Sequence, residues 1–307
     1  MAQNDFKPFA IGSGANVTSQ ADWEALPALI SGFQAGKASS AQVNKAIRQA
    51  SFIAAALAQF VSDKNGADVL DDGDLANFID LFESAVGIEA TGRLINVRTF
   101  TSSTSYIPSV GTKTIIVEAI GGGGAGGGAQ ATSSTQVCVC PGGNAGAYVK
   151  SRIETEISQV TITIGAGGIG AVGAIGGSGG DTSFGSLVIA PGGKGGSSYT
   201  PASPPVTNMN LNAPSIGSST EFTIEAGYSG RGQPGLASAF GYGASGDGGL
   251  SRFGSGGRSV GLTAASTPGD AAVSKGAGGS GGTSGQGAGA SAGGDGAPGV
   301  VVVWEYA

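Results

Sequence analysis

Apolar residues recur at helical spacing through the first ninety positions and in short strand-like runs thereafter. Val43, Ile47, Ala50, Ala54, Leu57 and Val61 advance by steps of three and four, which predicts one long helix opened by Ser39-Ser40 and closed at Gly66. Asp74 stands where it can cap a third helix with Leu75, Phe78, Ile79 and Phe82 on one face. Upstream, Ser19 with Asp22 three residues on signals an N-cap before Trp23, Leu26, Leu29 and Ile30. Pro27 inside that stretch predicts a short helix and a bend rather than one smooth helix. Three amphipathic helices in so short a segment make a small core, and each gains from burial against another subunit.

Beyond residue 87 the pattern changes. Leu94–Thr101 alternates like a strand, and Thr114–Val117, Val160–Ile164 and Val300–Trp304 are β-branched runs bounded by Gly or Pro. The expected organisation is a helical domain over 1–86, a joint with β character over 87–112, and a glycine-rich domain over 113–307.

Glycine decides what that last domain is made of. Of 60 glycines, 8 lie before residue 101 and 52 after it. Ordering Gly costs roughly 0.5–1 kcal/mol more than ordering Ala, so so many ordered glycines require positions where a side chain cannot fit. Disordered chains are rich in charge and poor in β-branched residues; this half is neither, so it reads as folded. Its glycines also have a period. Gly167, Gly170, Gly173, Gly176 and Gly179 recur at every third residue with Ile169, Val172 and Ile175 between them, and shorter registers run through 276–285 and 293–299. Period three is that of a polyproline-II-type helix, which has no internal hydrogen bonds. Residues 165–180 contain no Pro, which excludes collagen. The expectation is a polyglycine-II helix bundle whose bare Gly faces let backbones pair between helices, with the Ile/Val ridge turned onto a β-layer or a second sheet of such helices. The fold class is an α-helical N-terminal anchor followed by a mainly-β glycine-rich domain.

The charge balance is acidic, with a net charge of −6 and no Lys/Arg cluster, which argues against nucleic acid. It also argues against a polyanionic polysaccharide as main ligand. No signal peptide is expected at the start of the chain, and no apolar run reaches the roughly 20 residues needed to span a bilayer; the expectation is synthesis in a cytoplasm without membrane insertion. Cys138 and Cys140 stand too close for good disulfide geometry, and with no His in the chain they make a poor metal site. Idle thiols are the plainer reading. Gly165–Gly170 matches the dinucleotide pattern GxGxxG after a strand, but more glycine follows instead of a helix. Gly176–Gly180 matches GxSxG without the His that a nucleophilic serine uses as base. Pro191-Gly192-Gly193-Lys194 lacks the first Gly of a phosphate loop, and Asp68, Asp72, Gly73 and Asp74 resemble a calcium loop with its ligand set broken at Leu70 and Ile79. The reading is non-enzymatic, with no cofactor and no metal.

Phe6-Lys7-Pro8-Phe9-Ala10, Ser19–Leu26, Gly36–Gln49 and Asp68–Gly73, taken in order, resemble the N-terminal segment of tail-fibre proteins of tailed bacteriophages and prophages. The resemblance covers 1–86 and implies attachment of a fibre to the virion, commonly as a homotrimer; Phe6, Phe9 and Trp23 are the candidate attachment residues. Ile115–Gly124, Val160–Gly168 and the closing Gly299–Tyr306 are similar to the glycine-rich tip domains of phage fibres. That family is broadly similar to the distal adhesins of T-even-type long fibres, in which polyglycine-II helices present recognition loops. Related domains also occur in animal receptor kinases.

The resemblance implies a virion receptor-binding protein that docks a tail or baseplate protein and contacts a bacterial outer-surface receptor, either an outer-membrane protein or a neutral glycan. The candidate loops are those where glycine periodicity fails: Ala129–Pro141, then Ser197–Thr220 with Tyr199, Pro204, Pro205, Asn208, Met209, Asn210 and Asn212, and a third region with Tyr228, Arg231, Phe240 and Tyr242. Such residues suit adaptable recognition surfaces on a stiff frame; the plainer reading is ordinary surface connections. One rival is a structural connector that docks another virion protein. Another is a polysaccharide depolymerase, which needs paired carboxylates. Only ten acidic residues are scattered through 113–307, and the nearest pair, Glu154 and Glu156, alternates with Ile153 and Ile157 as the wet side of a strand-like run.

Overall fold

The computed structural model describes residues 2–34, 36, 38–89, 92–154 and 158–307. The chain divides into two units, Met1–Thr91 and Gly92–Ala307.

In the first unit, local capping chemistry sets the helix ends. The Ser19 side chain accepts from the Asp22 amide and opens α1, Gln20–Glu24. Pro27 opens α2, Ala28–Ser31, so the expected bend is there. Ser39 and Gln42 form a reciprocal capping box on α3, Ser40–Asn65, which stops at Gly66. Asp74 accepts from the Asn77 amide at 3.0 Å at the start of α4, Leu75–Glu89. Asp72 caps its own turn by accepting from the Asp74 amide, while Asp68 accepts from the amide of distant Gln3, so both carboxylates are held by backbone.

The face that α3 buries differs from the expected one. Ala58, Val61, Val69 and Ala85 form the core, with Phe6, Phe60, Phe78, Leu81 and Phe82 packed around them. Val43, Ile47 and Leu57 are exposed, as are Leu75 and Ile79 on α4. Residues 51–61 of α3 are apolar almost all round, so periodicity alone does not choose the face. The small Ala58 does, by letting the aromatic residues of α4 come close.

In the second unit two five-stranded antiparallel sheets enclose the main core. One runs Leu94–Phe100, Val300–Tyr306, Thr114–Ile120, Tyr148–Ile153, Phe222–Gly227; the other runs Ser218–Ser219, Val188–Ala190, Thr182–Phe184, Val160–Thr163, Thr104–Tyr106. Ile115, Val117, Val149, Ile153, Val301 and Val303 from the first sheet meet Tyr106, Ile162, Phe184 and Val188 from the second. Within the expected joint over 87–112, residues 87–89 finish α4, while Leu94–Phe100 and Thr104–Tyr106 are strands, one in each sheet.

Glu305 fixes that arrangement. Its buried carboxylate accepts from the Tyr106 hydroxyl at 2.7 Å and the Ser109 hydroxyl at 2.6 Å, and lies 3.5 Å from Arg98 Nη1. Burial works to raise its pKa, but the hydrogen bonds from Ser109 and Tyr106 and the Arg98 charge outweigh it and hold the carboxyl below its ordinary range.

The strands lead into a lattice of extended glycine segments. Gly121–Gly128 runs through its centre. The amides of Gly122, Ala125 and Gly128 donate to the segment 174–180; those of Gly123 and Gly126 donate to 294–297; those of Gly124 and Gly127 donate to 141–144. Carbonyls of the same segment accept from Gly168, Gly193, Gly196, Gly279 and Gly282. Partners thus change with every residue and return at every third. Around the centre, neighbours pair in a closed ring: 165–170 with 176–180, then 191–196, 141–147, 276–282, 291–299, and back to 165–170.

A Cβ placed on Gly121–Gly124 or Gly126–Gly128 would fall closer than 3.0 Å to a carbonyl of a neighbouring segment. Glycine is required there because backbone occupies the place of a side chain.

Two expectations about residues 165–180 are corrected. The run is not one helix: it turns at Gly173, whose φ is +59°, and returns antiparallel, with the Gly177 amide donating to the Ile169 carbonyl. The ridge does not face a second layer either, since Ile169, Val172 and Ile175 are 74%, 66% and 62% exposed. Both follow from the turn, which places the three side chains on the outside of a two-segment flap.

Candidate functional site

The lattice segments other than 276–282 join strands of the two sheets at one end, so the connections at the other end and along the flanks are what the frame displays. At the far end, the amide of Thr132 donates to the Ala288 carbonyl and that of Gly287 to the Ser133 carbonyl, while Val137 pairs with Ala202. Loop 129–137 is thereby joined to loops 285–290 and 198–202. A small sheet, Val206–Asn208, Gly235–Ala239 and Tyr242–Ala244, packs Val206 and Ala237 on Val137, Val139 and Leu262. From Asn208 the chain runs back along a flank of the lattice.

The predicted contact residues fall in different places. Met209, Tyr228, Phe240 and Tyr242 are exposed. Tyr228 follows Gly227, which pairs with Tyr148 at the sheet end, whereas Phe240 and Tyr242 sit on a hairpin beyond Gly235. The segment 229–235 separates them, so the third candidate region is two places. Tyr199 is half-buried and donates its hydroxyl to the Met209 carbonyl at 2.6 Å. Arg231 is exposed, and its guanidinium holds the Asn210 carbonyl through Nε at 3.1 Å and through Nη2.

Asn208 and Asn210 turn inward. Asn210 is 1% exposed and its amide donates to the Gly142 carbonyl at 2.9 Å. Asn208 does the same to Val139 at 2.8 Å. As a ligand contact Asn210 is corrected, because a buried amide satisfied among backbone carbonyls costs free energy to move; Asn208 is half-buried.

In the helical unit, Phe9 is exposed, but Phe6 packs in the core 6.4 Å from the Phe78 ring, and Trp23 is buried 6.5 Å from Phe33. Trp23 is therefore a core residue rather than an attachment contact.

Cys138 and Cys140 are free and buried, with sulfurs 3.9 Å apart; Cys140 donates to the Gly128 carbonyl and Cys138 to that of Tyr199, both at 3.3 Å. The bond with Cys138 and burial push the Cys140 thiol well above its ordinary range. Among the described residues no group of three or more His, Cys, Asp or Glu is placed to hold a metal ion. Glu154 is exposed beside Arg152 at 3.1 Å, and its expected companion Glu156 lies outside the described residues.

What the unit offers instead is a rigid frame with apolar and aromatic side chains on its outside. Leu211 and Leu236 belong to that exterior with Met209, as does the ridge at Ile169. Sequence reasoning passed over Leu211 and Leu236 because isolated leucines carry no motif. The alternation Asn208, Met209, Asn210, Leu211, Asn212 was the available signal, since period two separates an inward from an outward side.

The model of a family described as a glycine-rich domain matches residues 99–306, more than half the chain. The protein belongs to that glycine-rich domain family. Comparison with curated proteins found no match.

Proposed function

We propose that this chain is a receptor-binding protein of a tailed-phage fibre, a non-enzymatic adhesin that attaches the virion to a receptor on the bacterial surface. In this reading the helical unit docks a tail or baseplate protein, the fibre is a homotrimer, and the glycine lattice is a polyglycine-II bundle. The protein is made in the host cytoplasm and resides in the virion, where several copies multiply weak contacts.

The observation that carries the reading is the central segment Gly121–Gly128. Its hydrogen-bond partners return at every third residue, the repeat of a polyproline-II-type helix. A frame held by backbone bonds needs few interior side chains, which leaves the side chains of its loops available for recognition. The resemblance of residues 1–86 to fibre attachment segments supplies the biological setting.

The test is binding of the purified full-length chain to cells of the bacterium from whose phage or prophage it comes, with competition against infection by that phage. Binding with competition is expected. A folded sample that binds no such cells would overturn the reading.

A further inference from the structure

The fold brings the two cysteines together. Cys138 lies in the short strand Cys138–Val139, which pairs with Thr283–Ser284. The Cys140 amide donates to the Gly282 carbonyl at 3.0 Å, and the Cys140 carbonyl accepts from the Gly246 amide at 2.9 Å. Period two along this extended backbone turns both side chains to one side, into a buried cluster with Ala129. The sulfurs meet there at 3.9 Å. Two extended residues span about 6.2–6.8 Å between Cα atoms. Bridged cysteines usually stand roughly 4.4–6.8 Å apart, so a bond is within reach at the wide end of that range. A bridge stretched in this way is strained, and strained bridges are readily reduced again.

The two thiols are not equivalent. The hydrogen bond from Cys140, helped by one from the Gln130 backbone, holds the Cys138 thiol below its ordinary value against the effect of burial. Cys138 is therefore the sulfur with the greater thiolate character, the form that attacks. Each thiol also holds a carbonyl. Gly128, which accepts from Cys140, has a second donor in the Ser198 hydroxyl at 2.9 Å. The Tyr199 carbonyl is held by the Cys138 thiol at 3.3 Å. Three residues on, the Ala202 amide donates to the Val137 carbonyl at 3.0 Å and the Val137 amide to the Ala202 carbonyl at 2.9 Å.

We propose that Cys138 and Cys140 form a reversible dithiol–disulfide pair whose oxidation unlatches the displayed stretch 198–202 from the strand beneath it. The oxidant is a low-molecular-weight disulfide. The Cys138 thiolate attacks one of its sulfurs and expels one small thiolate, which takes up a proton. The Cys140 sulfur then attacks Cys138 in the mixed disulfide and expels the second small thiol, which carries away the Cys140 proton. The protein dithiol is oxidised, the small disulfide is reduced to two thiols, and both S–H donors are consumed. The Tyr199 carbonyl is then left without its partner. The pair lies inside the glycine-rich unit and operates whatever that unit binds, so it goes beyond the receptor-binding reading.

The test treats the native full chain with oxidised glutathione, blocks remaining thiols, and reads intact mass and amide hydrogen exchange. Wild type is expected to lose about 2 Da, the two thiol hydrogens, as a monomer, and to regain them with reduced glutathione. Exchange at the Val137 and Ala202 amides should quicken several-fold on oxidation and return on reduction. Cys140→Ser should stop at a glutathione adduct on Cys138, and Cys138→Ser should form little adduct; alanine at the same positions serves if a serine variant folds poorly. An unchanged mass, a wild-type chain that stops at the adduct, or disulfide-linked dimers would each overturn the proposed pair. A bridge that forms while exchange at Val137 and Ala202 stays the same would overturn the latch.

Discussion

In the helical unit, a methyl group added to Gly12, Gly14 or Gly87 would meet nothing within 4 Å; in the glycine-rich unit, one added to Gly123 would run into the Ala277 carbonyl. The same residue does opposite work in the two places. Around α3 and α4 the core is side chain against side chain, and glycine sits at the edges. Around Gly121–Gly128 the core is backbone against backbone, and glycine is the interior. A backbone core gives up most side-chain burial, the dominant favourable contribution in ordinary domains, and relies on every N–H and C=O finding a partner at close approach. It follows that the lattice tolerates far less at its centre than the helical core does.

The largest expected effect comes from testing that directly. Gly123→Ala places a Cβ against backbone that cannot withdraw, because its neighbours are themselves held on other sides. The loss should exceed the about 1–3 kcal/mol typical of overpacked side-chain cores. In the full chain, the thermal transition reported by Trp304 should collapse while the helical circular dichroism signal melts as in wild type. If both transitions stay at their wild-type temperatures, the backbone-core account is wrong.

The next effect belongs to the sandwich. Glu305→Ala strands the buried Tyr106 hydroxyl, at about 1–3 kcal/mol for the unsatisfied group, with further loss from the space left behind. The same carboxylate gives a pH dependence. Because its folded pKa lies below the ordinary value, its contribution is fully present above about pH 4.3, the ordinary glutamate pKa. That contribution is lost as pH falls through the lowered folded value. Melting of the glycine-rich unit should therefore weaken on acidification below that point, and Glu305→Gln should flatten this part of the profile. An unchanged acid slope in the variant would assign the dependence to other carboxylates.

The two regions were also unequally legible in the sequence, for a related reason. Helix ends such as Ser39, Gly66 and Asp74 are local chemistry, and the residues that cap lie within three or four positions of what they cap. The buried face of α3 was not legible, because an apolar segment that is nearly uniform around its circumference leaves the choice to α4. In the second half, period-three glycine pointed to close-packed extended segments, but not to the turn at Gly173 that splits one run into two. Candidate contacts fared worst. Asn208 and Asn210 have the composition of a recognition loop, yet their amides meet carbonyls some 70 positions away in the chain, and no local pattern reports a partner at that separation.

Gly173 then provides a smaller and sharper test, because it lies in the lattice sequence without lying in the lattice core. Its nearest neighbour to an added Cβ is the Ala290 methyl at 3.4 Å, an ordinary contact, so only its left-handed φ of +59° opposes a side chain. Gly173→Ala should cost roughly 1–2 kcal/mol, the strain of an L-residue in that conformation, well short of the Gly123 effect despite the identical chemical change.

At the bottom of the scale stands Gly12→Ala in the helical unit. Gly12 has open space around it and no positive φ. The substitution narrows the unfolded ensemble without straining the folded one, so a small gain of about 0.4–1 kcal/mol is expected. The three alanines together form one measurement of what a methyl group meets: backbone at Gly123, conformational strain at Gly173, water at Gly12. A series ordered otherwise, with Gly12→Ala as damaging as Gly123→Ala, would mean that the glycines of the second unit are not there to let its segments touch.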